Sequence, residues 1–365
     1  MEFLAVSEES LKRAAAVLAS GGLAAFPTET VYGLGADAFN PAALAKVFAV
    51  KGRPRFDPLI IHIASMETLE KIAKLSLLSG AAREKLTLLA ETFWPGPLTL
   101  ILPKQEAVPD IATSGLPSVA VRFPAHPAAQ RLIALSGGAL AAPSANPFGY
   151  LSPTEASHVR DQLGNAVDII LDGGPASVGV ESTVLDLCRE RPCILRPGGL
   201  PREAIEALIG TVEGSPENGG NAGQENPEAM ASPGMLKSHY APRTPLTVFS
   251  YGKTIALPDS VTGENTDSEN AGSGSDVGGK TIAFLFFDGA SRDNWQAGKT
   301  HINPQTKTLS ERGDLQEAAV NLFKYLHEMD IPGTARIFAQ LAPEQGLGIA
   351  INDRLRRAAN REIMV

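Results

Sequence analysis

The chain has 365 residues, 44% of them hydrophobic and 20% charged, a composition typical of folded globular proteins rather than disordered or fibrous ones. This length predicts two domains, each able to bury its own core. The formal net charge of -8 argues against a broad nucleic-acid-binding surface, which needs clustered excess Lys and Arg.

The N-terminal segment, MEFLAVSEES, has no basic region followed by an apolar run. No stretch of about 18 uncharged apolar residues occurs anywhere in the chain. We therefore expect a cytoplasmic protein that is neither exported nor inserted into a membrane.

Helices and strands alternate irregularly through the first 200 residues. Apolar residues at helical spacing predict a helix over 7–20, and Asn40 with Pro41 is a typical cap and first-turn proline for another that ends near Val50. Further helices are predicted over 68–89, in two pieces, and over 127–135. Strands are predicted over 23–26, 58–63, 98–102, 118–123, 139–142, 167–171, 183–187 and 193–195. Because the order is not strictly βαβ, it favours an α+β domain with a mixed sheet, ending near Gly210.

A change of composition follows this domain. Residues 211–232 are rich in Gly, Asn, Glu and Pro, which predicts a linker. Beyond it, strands over 246–249, 281–287 and 336–339 with helices over 314–328 and 348–359 predict a smaller α/β domain. Residues 258–279 are again polar and are interpreted as a surface loop.

The two cysteines, Cys188 and Cys193, are too few for a disulfide framework, and no second pair of ligands accompanies them for zinc. We interpret both as ordinary strand-end residues in a reducing compartment.

Polar residues cluster where the predicted strands of the first domain begin or end, which is where rigid scaffolds usually present functional groups. The first cluster, PTETVYGLG at 27–35, has hydroxyls and glycines that suit a small polar ligand, or equally a glycine-containing turn. The second places Lys51, Arg53 and Arg55 within five residues. Such a cluster is easier to understand if phosphate lies between the cations, although a solvated basic turn is the alternative.

The remaining clusters also follow or precede strands. Ser144 and Asn146 lie in PSAN, with Ser152 soon after, and the absence of G-x-S-x-G favours a nucleotide contact for Ser144 over a nucleophile. Ser182 lies in ESTV, a pattern that alone is typical of a turn. Arg122 and Arg196 are further cations at strand ends. The chain has no Walker loop and no third glycine of a dinucleotide fingerprint.

Together these segments resemble the threonylcarbamoyl-AMP synthase family, the YrdC-like proteins. The resemblance covers roughly the first two hundred residues and lies in FPTETVYGLG at 26–35, KGRP at 51–54, PLIIHI at 58–63, WPGPLT at 94–99, VRFP at 121–124, PSAN at 143–146 and ESTV at 181–184. SPGMLKSHYAP at 232–242 resembles the linker of the family's long form, which adds a Rossmann-like domain. The resemblance implies a YrdC-like catalytic domain with a twisted mixed sheet and a concave cavity over 1–210, a linker over 211–243 and an α/β domain over 244–365.

The resemblance also implies a reaction. L-threonine, bicarbonate or CO2, and ATP condense to threonylcarbamoyl-AMP and pyrophosphate, with Mg²⁺ expected to accompany ATP and no metal ligands assigned. A separate tRNA threonylcarbamoyl transferase complex then receives the product, while direct tRNA binding by this chain is left open. Lys51 and Arg53 are expected to neutralise phosphate charge.

Two sets of binding residues carry over by resemblance. The expected threonine site comprises Thr30, His62, Arg122, Ala142 and Ser182. The expected ATP site comprises Arg53, Asp57, Ser118, Ser144, Asn146, Ser152, Arg196 and Tyr240.

Three of these assignments come with alternatives. Asp57 stands where the family often has Asn, so its carboxylate either helps to hold Mg²⁺ or weakens ATP binding. The alternative for His62 is a structural histidine of the strand whose hydrogen bonds are made within the protein. Tyr240 either contacts nucleotide from the linker or, with His239, merely packs the connector.

An Arg53→Ala substitution is expected to abolish adenylate formation without disturbing the fold.

Two other functions compete with the synthase interpretation. A non-catalytic RNA-binding module is disfavoured by the acidic charge and the lack of interleaved aromatic residues. A carbamoyl transferase of the hydrogenase-maturation type would carry zinc fingers, which two cysteines cannot build.

Overall fold

The computed structural model describes residues 1–214, 239–253, 281–296, 304–359 and 361–363. The chain divides into two compact units, Met1–His239 and Tyr240–Val365. Most of the predicted linker, at 215–238, and the whole predicted loop at 258–279 lie outside the described residues. The domain limits inferred from the sequence stay a prediction.

The first unit is built on an eleven-stranded mixed sheet. Its strands in chain order are β1 (Glu2–Ala5), β2 (Ala24–Phe26), β3 (Gly33–Asp37), β4 (Ile60–Ile63), β5 (Leu98–Pro103), β6 (Ser118–Arg122), β7 (Ala139–Ala141), β8 (Ile169–Asp172), β9 (Thr183–Asp186), β10 (Cys193–Arg196) and β11 (Glu213–Gly214). In space they follow the order β1-β8-β2-β3-β7-β4-β6-β5-β9-β10-β11. The pair β4 and β6 is parallel and the pair β5 and β6 is antiparallel, so the predicted mixed sheet is confirmed.

Helices pack on both faces of this sheet. They are α1 (Glu8–Ala19), α2 (Pro41–Lys51), α3 (Met66–Ile72), α4 (Gly80–Phe93), α5 (Asp110–Thr113), α6 (Pro127–Leu135), α7 (Ala156–Leu163) and α8 (Arg202–Ile209). Phe26 packs in a core cluster with residues of α1 and α6, whereas its neighbour Ala25 packs in a cluster with residues of α2 and α4. Successive side chains of a strand point to opposite faces, so both faces of β2 are covered.

Helix α2 brings the predicted basic cluster to a fixed position. The Asn40 side chain accepts hydrogen bonds from the amides of Ala42 and Ala43, and Pro41 occupies the first turn, as predicted. Gly52 ends the helix in the left-handed conformation with φ of 61°. Lys51 is therefore the last helical residue, and Arg53 follows directly after the turn.

The second unit holds a five-stranded sheet whose pairs are all parallel. Its strands are β12 (Leu246–Phe249), β13 (Thr281–Asp288), β14 (Gln305–Ser310), β15 (Thr334–Gln340) and β16 (Arg361–Ile363), in the order β14-β13-β15-β12-β16. Its helices are α9 (Gly289–Gln296), α10 (Leu315–Met329) and α11 (Leu347–Ala358). The ring of Phe284 stacks on Phe338 and contacts Trp295 in its core. This confirms the predicted α/β class.

Several elements have no counterpart in the sequence-based prediction, among them β1, α7, α8 and β14, and two further segments differ from their interpretation. Residues 33–35, the end of the segment interpreted as a ligand loop or turn, lie in β3, which pairs with both β2 and β7. Glu213 and Gly214, assigned to the linker, form β11, with the Glu213 amide donating to the Pro192 carbonyl at 2.8 Å. A two-residue strand is too short to show a hydrophobic pattern. None of the described helices is long and apolar enough to span a membrane.

Candidate active site

Four neighbouring strands bring the predicted site residues together. His62 on β4 lies in register with Arg122 on β6, and Arg122 lies opposite Thr99 on β5. Ser182 directly precedes β9, which pairs with β5. Because these positions are adjacent across the sheet, their side chains share one region of the first unit.

Arg122 is the centre of one polar cluster. Its Nη1 donates to Thr30 Oγ1 at 2.8 Å, and its Nη2 donates to Glu29 Oε1 at 2.6 Å. Its Nε donates to the Gly96 carbonyl at 3.3 Å. Thr28 Oγ1 lies 2.9 Å from Thr30 Oγ1 and donates to the Val31 carbonyl. We call this group, with His62, the arginine cluster.

His62 is buried beside this guanidinium. Burial, together with the charge of Arg122, lowers the pKa of His62 to about 3. The imidazole is therefore neutral near pH 7. Its Nδ1 lies 3.3 Å from the Ile60 carbonyl, so His62 also makes the local contact of a strand histidine.

The two remaining predicted threonine-site residues lie against the same strands. The Ala142 amide donates to the Ile60 carbonyl at 2.9 Å. Ser182 Oγ lies 2.7 Å from Thr99 Oγ1, and Thr99 is paired with Arg122. The structure thus places all five predicted threonine-site residues in one neighbourhood.

A second polar cluster surrounds Lys51. The Lys51 Nζ donates to the Ser144 carbonyl at 2.6 Å and to the Asn146 carbonyl. Burial, followed by the charge of Arg53, lowers the pKa of Lys51 well below its usual value. The PSAN turn is thereby tied to the end of α2.

Arg53 is held by its own turn. Its Nε donates to the Asp57 carbonyl at 3.0 Å and its Nη2 to the Pro58 carbonyl at 2.8 Å. The Nη2 also lies 2.8 Å from Asp57 Oδ1, an ion pair in which Asp57 is fully buried. The guanidinium lies 5.9 Å from the ring centre of Phe148. We call Lys51, Arg53 and Asp57 the phosphate cluster.

Asp57 contributes a carboxylate to a cationic environment. Burial raises its pKa, while Arg53, Lys51 and Arg196 oppose that rise. Although it pairs with Arg53, neither of its oxygens has a hydrogen-bond partner with acceptable geometry among the described residues.

Arg196 interacts with one residue of each predicted binding site. Its Nη2 donates to the Ser182 carbonyl at 2.9 Å and to Ser182 Oγ at 3.3 Å. Its charge also acts on Asp57. Nearby, Ser152 Oγ donates to Glu181 Oε1, and Asn146 Nδ2 donates to the Tyr150 carbonyl at 2.9 Å.

Two predicted ATP-site residues remain to be located. Ser118 begins β6, so about 13 Å of strand separates its backbone from that of Arg122. Tyr240 lies in the second unit, where it is buried with its ring 5.8 Å from that of Phe323 and 5.2 Å from the Arg354 guanidinium. Tyr240 therefore packs in the second unit, and which of the two roles considered for it applies stays a prediction.

The structure also identifies contacts of residues that were not among the predicted site residues. Glu29 pairs with Arg122, Glu181 accepts from Ser152, and Thr99 links Ser182 to β5. His239 packs edge-on against Phe148 at 5.5 Å, and its pKa is lowered to about 3, chiefly by burial. Glu29 and Glu181 lie within the quoted PTET and ESTV segments, which was the available signal. Thr99 likewise ends the quoted WPGPLT segment, and its pairing with Arg122 across the sheet shows which residue it contacts.

The described residues contain no group of three or more His, Cys, Asp or Glu side chains placed to hold a metal ion. Cys188 and Cys193 are both free thiols, consistent with their interpretation as ordinary strand-end residues.

Comparison with known proteins identifies the family. A family profile described as "Telomere recombination" matches residues 16–198, and one described as "Threonylcarbamoyl-AMP synthase, C-terminal domain" matches residues 200–360. The threonylcarbamoyl-AMP synthase of Pyrococcus abyssi is 41% identical over 359 residues, covering 98% of this chain and 96% of the relative. That of Bacillus subtilis is 38% identical over 362 residues, covering 99% and 96%.

The fold agrees with these matches. The crystal structure of P. abyssi Sua5 complexed with L-threonine superposes with a TM-score of 0.81 at 38% identity, covering 100% of this chain and 98% of that one. Both units are thus matched in sequence and in structure, and the chain belongs to the threonylcarbamoyl-AMP synthase family and is an enzyme that makes threonylcarbamoyl-AMP.

Proposed function

We propose that the first unit condenses L-threonine, bicarbonate or CO2, and ATP into threonylcarbamoyl-AMP and pyrophosphate by nucleotidyl transfer. The observation that carries this proposal is that the first unit holds an arginine cluster and a phosphate cluster, and that Arg196 bonds to Ser182 of the predicted threonine site and acts on Asp57 of the phosphate cluster. One cluster suits the carboxylate of an amino acid and the other suits a triphosphate.

The arginine cluster receives L-threonine. Of the five N–H donors of Arg122, three bond to Gly96, Glu29 and Thr30, which leaves one on each terminal nitrogen for a substrate carboxylate. The hydroxyls of Thr30 and Ser182 and the backbone of Ala142 are proposed to orient the substrate. Since the His62 imidazole is neutral, it contacts the substrate as an uncharged polar side chain and does not add a second positive charge to the site.

The phosphate cluster receives ATP. The threonine amine, as the free base, first adds to CO2 with loss of one proton to solvent, or condenses with bicarbonate with loss of water, and in either case forms a carbamate. A carbamate oxygen then bonds to the α-phosphorus of ATP, and the bond to pyrophosphate breaks with its electron pair on the leaving group. Lys51 and Arg53 neutralise the phosphate charge during this step, while Ser144, Asn146, Ser152 and Arg196 position the nucleotide.

A magnesium ion suits this site as a partner of ATP. Mg²⁺ commonly binds through one or two carboxylates together with substrate phosphates. The phosphate cluster contains one carboxylate, Asp57, but its Oδ1 already lies 2.8 Å from Arg53 Nη2, so we assign the ion to the triphosphate and name no ligand from this chain. When bound, the ion would supply further charge neutralisation on the triphosphate.

The product requires a consumer. Threonylcarbamoyl-AMP is a mixed anhydride of a carbamate and a phosphate, so it must be passed to an acceptor before water attacks it. We propose hand-over to a tRNA threonylcarbamoyl transferase complex in the cytoplasm. Contacts of ATP with Ser118 and Tyr240 belong to the proposal, and their support is the resemblance of the surrounding segments.

The proposed reaction is tested by pyrophosphate release from ATP with Mg²⁺ and bicarbonate, comparing L-threonine, L-serine and no amino acid. Release that depends on L-threonine and is weaker with L-serine is expected. Folded protein that releases no pyrophosphate under any condition would overturn the proposal and favour the RNA-binding alternative.

A further inference from the structure

Glu29 is a buried carboxylate of which only one oxygen is engaged. Its side chain is 8% exposed, and Oε1 accepts from Arg122 Nη2 at 2.6 Å. Among the described residues, no donor forms a hydrogen bond with Oε2. A buried carboxylate oxygen that accepts no hydrogen bond lowers the stability of the folded protein. A functional role for Glu29 beside Arg122 would explain why this cost is tolerated.

The ionised form of Glu29 is nevertheless favoured. Burial by itself raises the pKa of Glu29. The opposing effects are larger, namely the charge and hydrogen bond of Arg122 and the nearby amides of Glu29 and Ala125, so the net shift of the pKa is downward. His126 is the other titratable group affected by this carboxylate, and burial lowers its pKa. Glu29 therefore presents a negative charge next to the guanidinium, and the nearby amides do not reach hydrogen-bond geometry with its Oε2.

We infer that Glu29 binds the α-ammonium group of L-threonine. The inference rests on the proposed placement of the threonine carboxylate on Arg122. An amino acid carries its ammonium and carboxylate on the same carbon. When Arg122 binds the substrate carboxylate, the substrate ammonium is therefore brought close to Glu29, which is already bonded to Arg122. Arg122 and Glu29 then form a matched pair for the two charges of the zwitterion.

Charge balance supports this arrangement. Entry of a zwitterion into a site with Arg122 alone would leave the ammonium buried without a counter-charge, at high cost. With Glu29 present, each substrate charge meets its opposite, and Oε2 gains a donor. Glu29 is thus assigned as a specificity residue that selects substrates with a free α-amino group.

The test is calorimetric binding of two ligands to the full chain without ATP. One is L-threonine, and the other is 2,3-dihydroxybutanoate of the same configuration, in which a hydroxyl replaces the amino group. In Glu29→Gln we expect L-threonine binding to weaken about 10- to 100-fold, since a charged hydrogen bond is lost. Binding of the hydroxy acid should not weaken.

Thr30→Val is the matched control, because Thr30 makes the neighbouring contact to Arg122 but carries no charge. It should weaken both ligands alike. If Glu29→Gln also weakened both ligands alike, Glu29 would only position Arg122, and the inference would fail. Unchanged L-threonine binding in Glu29→Gln would overturn it as well.

Two further results keep the proposals separate. Glu29→Asp, which keeps the charge, should retain the preference for L-threonine over the hydroxy acid, so it decides the matter if Glu29→Gln does not fold. Loss of that preference in folded Glu29→Asp would count against the inference. Wild-type protein that binds neither ligand would instead remove the proposed threonine site itself.

Discussion

Arg53 and Asp57 form an ion pair at 2.8 Å in which neither side chain is more than 4% exposed. The pair lies beside Lys51, whose charge also acts on Asp57. In the proposed reaction, ATP phosphates must approach a guanidinium that already has a carboxylate beside it. This relationship favours the second of the two roles considered for Asp57, namely weakening of ATP binding.

Asp57→Asn is therefore expected to tighten ATP binding about tenfold, or by about 1.4 kcal/mol. The neutral amide keeps the shape of the side chain and removes its repulsion of the phosphates. Calorimetric titration with ATP and Mg²⁺ measures the change. Asp110→Asn is a suitable control, since Asp110 also pairs with a cation but is 82% exposed, and it should leave ATP binding unchanged. Weaker binding in Asp57→Asn would instead favour a role in holding Mg²⁺.

Arg53→Ala should abolish adenylate formation, as the sequence suggested, but the structure corrects the expectation that the fold is left undisturbed. The substitution leaves the fully buried Asp57 carboxylate without its counter-ion. Breaking a buried ion pair in this way lowers the free energy of unfolding by about 3 to 5 kcal/mol. Arg53→Ala combined with Asp57→Ala should recover most of that stability and remain inactive. Urea denaturation and pyrophosphate release measure the two effects. A double variant no more stable than the single one would show that the pair is not the cause.

Arg122→Lys should weaken L-threonine binding about 10- to 100-fold, because an ammonium cannot replace a forked guanidinium contact to a carboxylate. ATP affinity should stay unchanged, since Arg122 lies in the arginine cluster. Steady-state KM values for the two substrates measure the difference. Arg131→Lys is the control, because Arg131 is an exposed arginine that pairs with Glu8. Equal effects on both substrates would contradict the proposed division of the site.

The fold was predictable where hydrophobic periodicity is strong. The helix over Pro127–Leu135 and the strand Leu246–Phe249 have the limits predicted from the sequence. Strand β3 was not recognised because two of its five residues are glycines, which lower strand propensity. The structure explains Gly35, since a Cβ there would lie 2.8 Å from the Phe26 ring. That constraint comes from packing between strands, and local sequence does not reveal it.

The site was predictable to the extent that the family resemblance names residues within motifs. The adjacency of Thr30 and Arg122 depends on sheet order, because these residues are 92 positions apart and meet only when β2 and β6 join the same sheet. The pairing of Glu29 with Arg122 depends on the same long-range assembly. Composition and spacing indicated polar clusters, whereas the partner of each charge required the three-dimensional fold.

Titration of His62 makes the free energy of unfolding depend on pH, and this contribution can be measured separately from that of the other titratable groups. Its folded-state pKa is about 3, against an ordinary value of 6.5, because the imidazole is buried beside Arg122. Between these values the unfolded chain binds a proton that the folded chain does not, so stability falls as the pH falls from 6.5 towards 3.

His62→Asn removes this titration while retaining a donor for the Ile60 carbonyl. Other groups titrate in both proteins and cancel in the difference between them. The stability advantage of wild type should therefore shrink by roughly 1.4 kcal/mol per pH unit below 6.5. Urea denaturation of both proteins at about pH 8, 6 and 4.5 measures it. A difference in unfolding free energy that is the same at all three values would show that His62 is not held neutral, and with it the assignment of His62 as an uncharged polar side chain of the threonine site would fail.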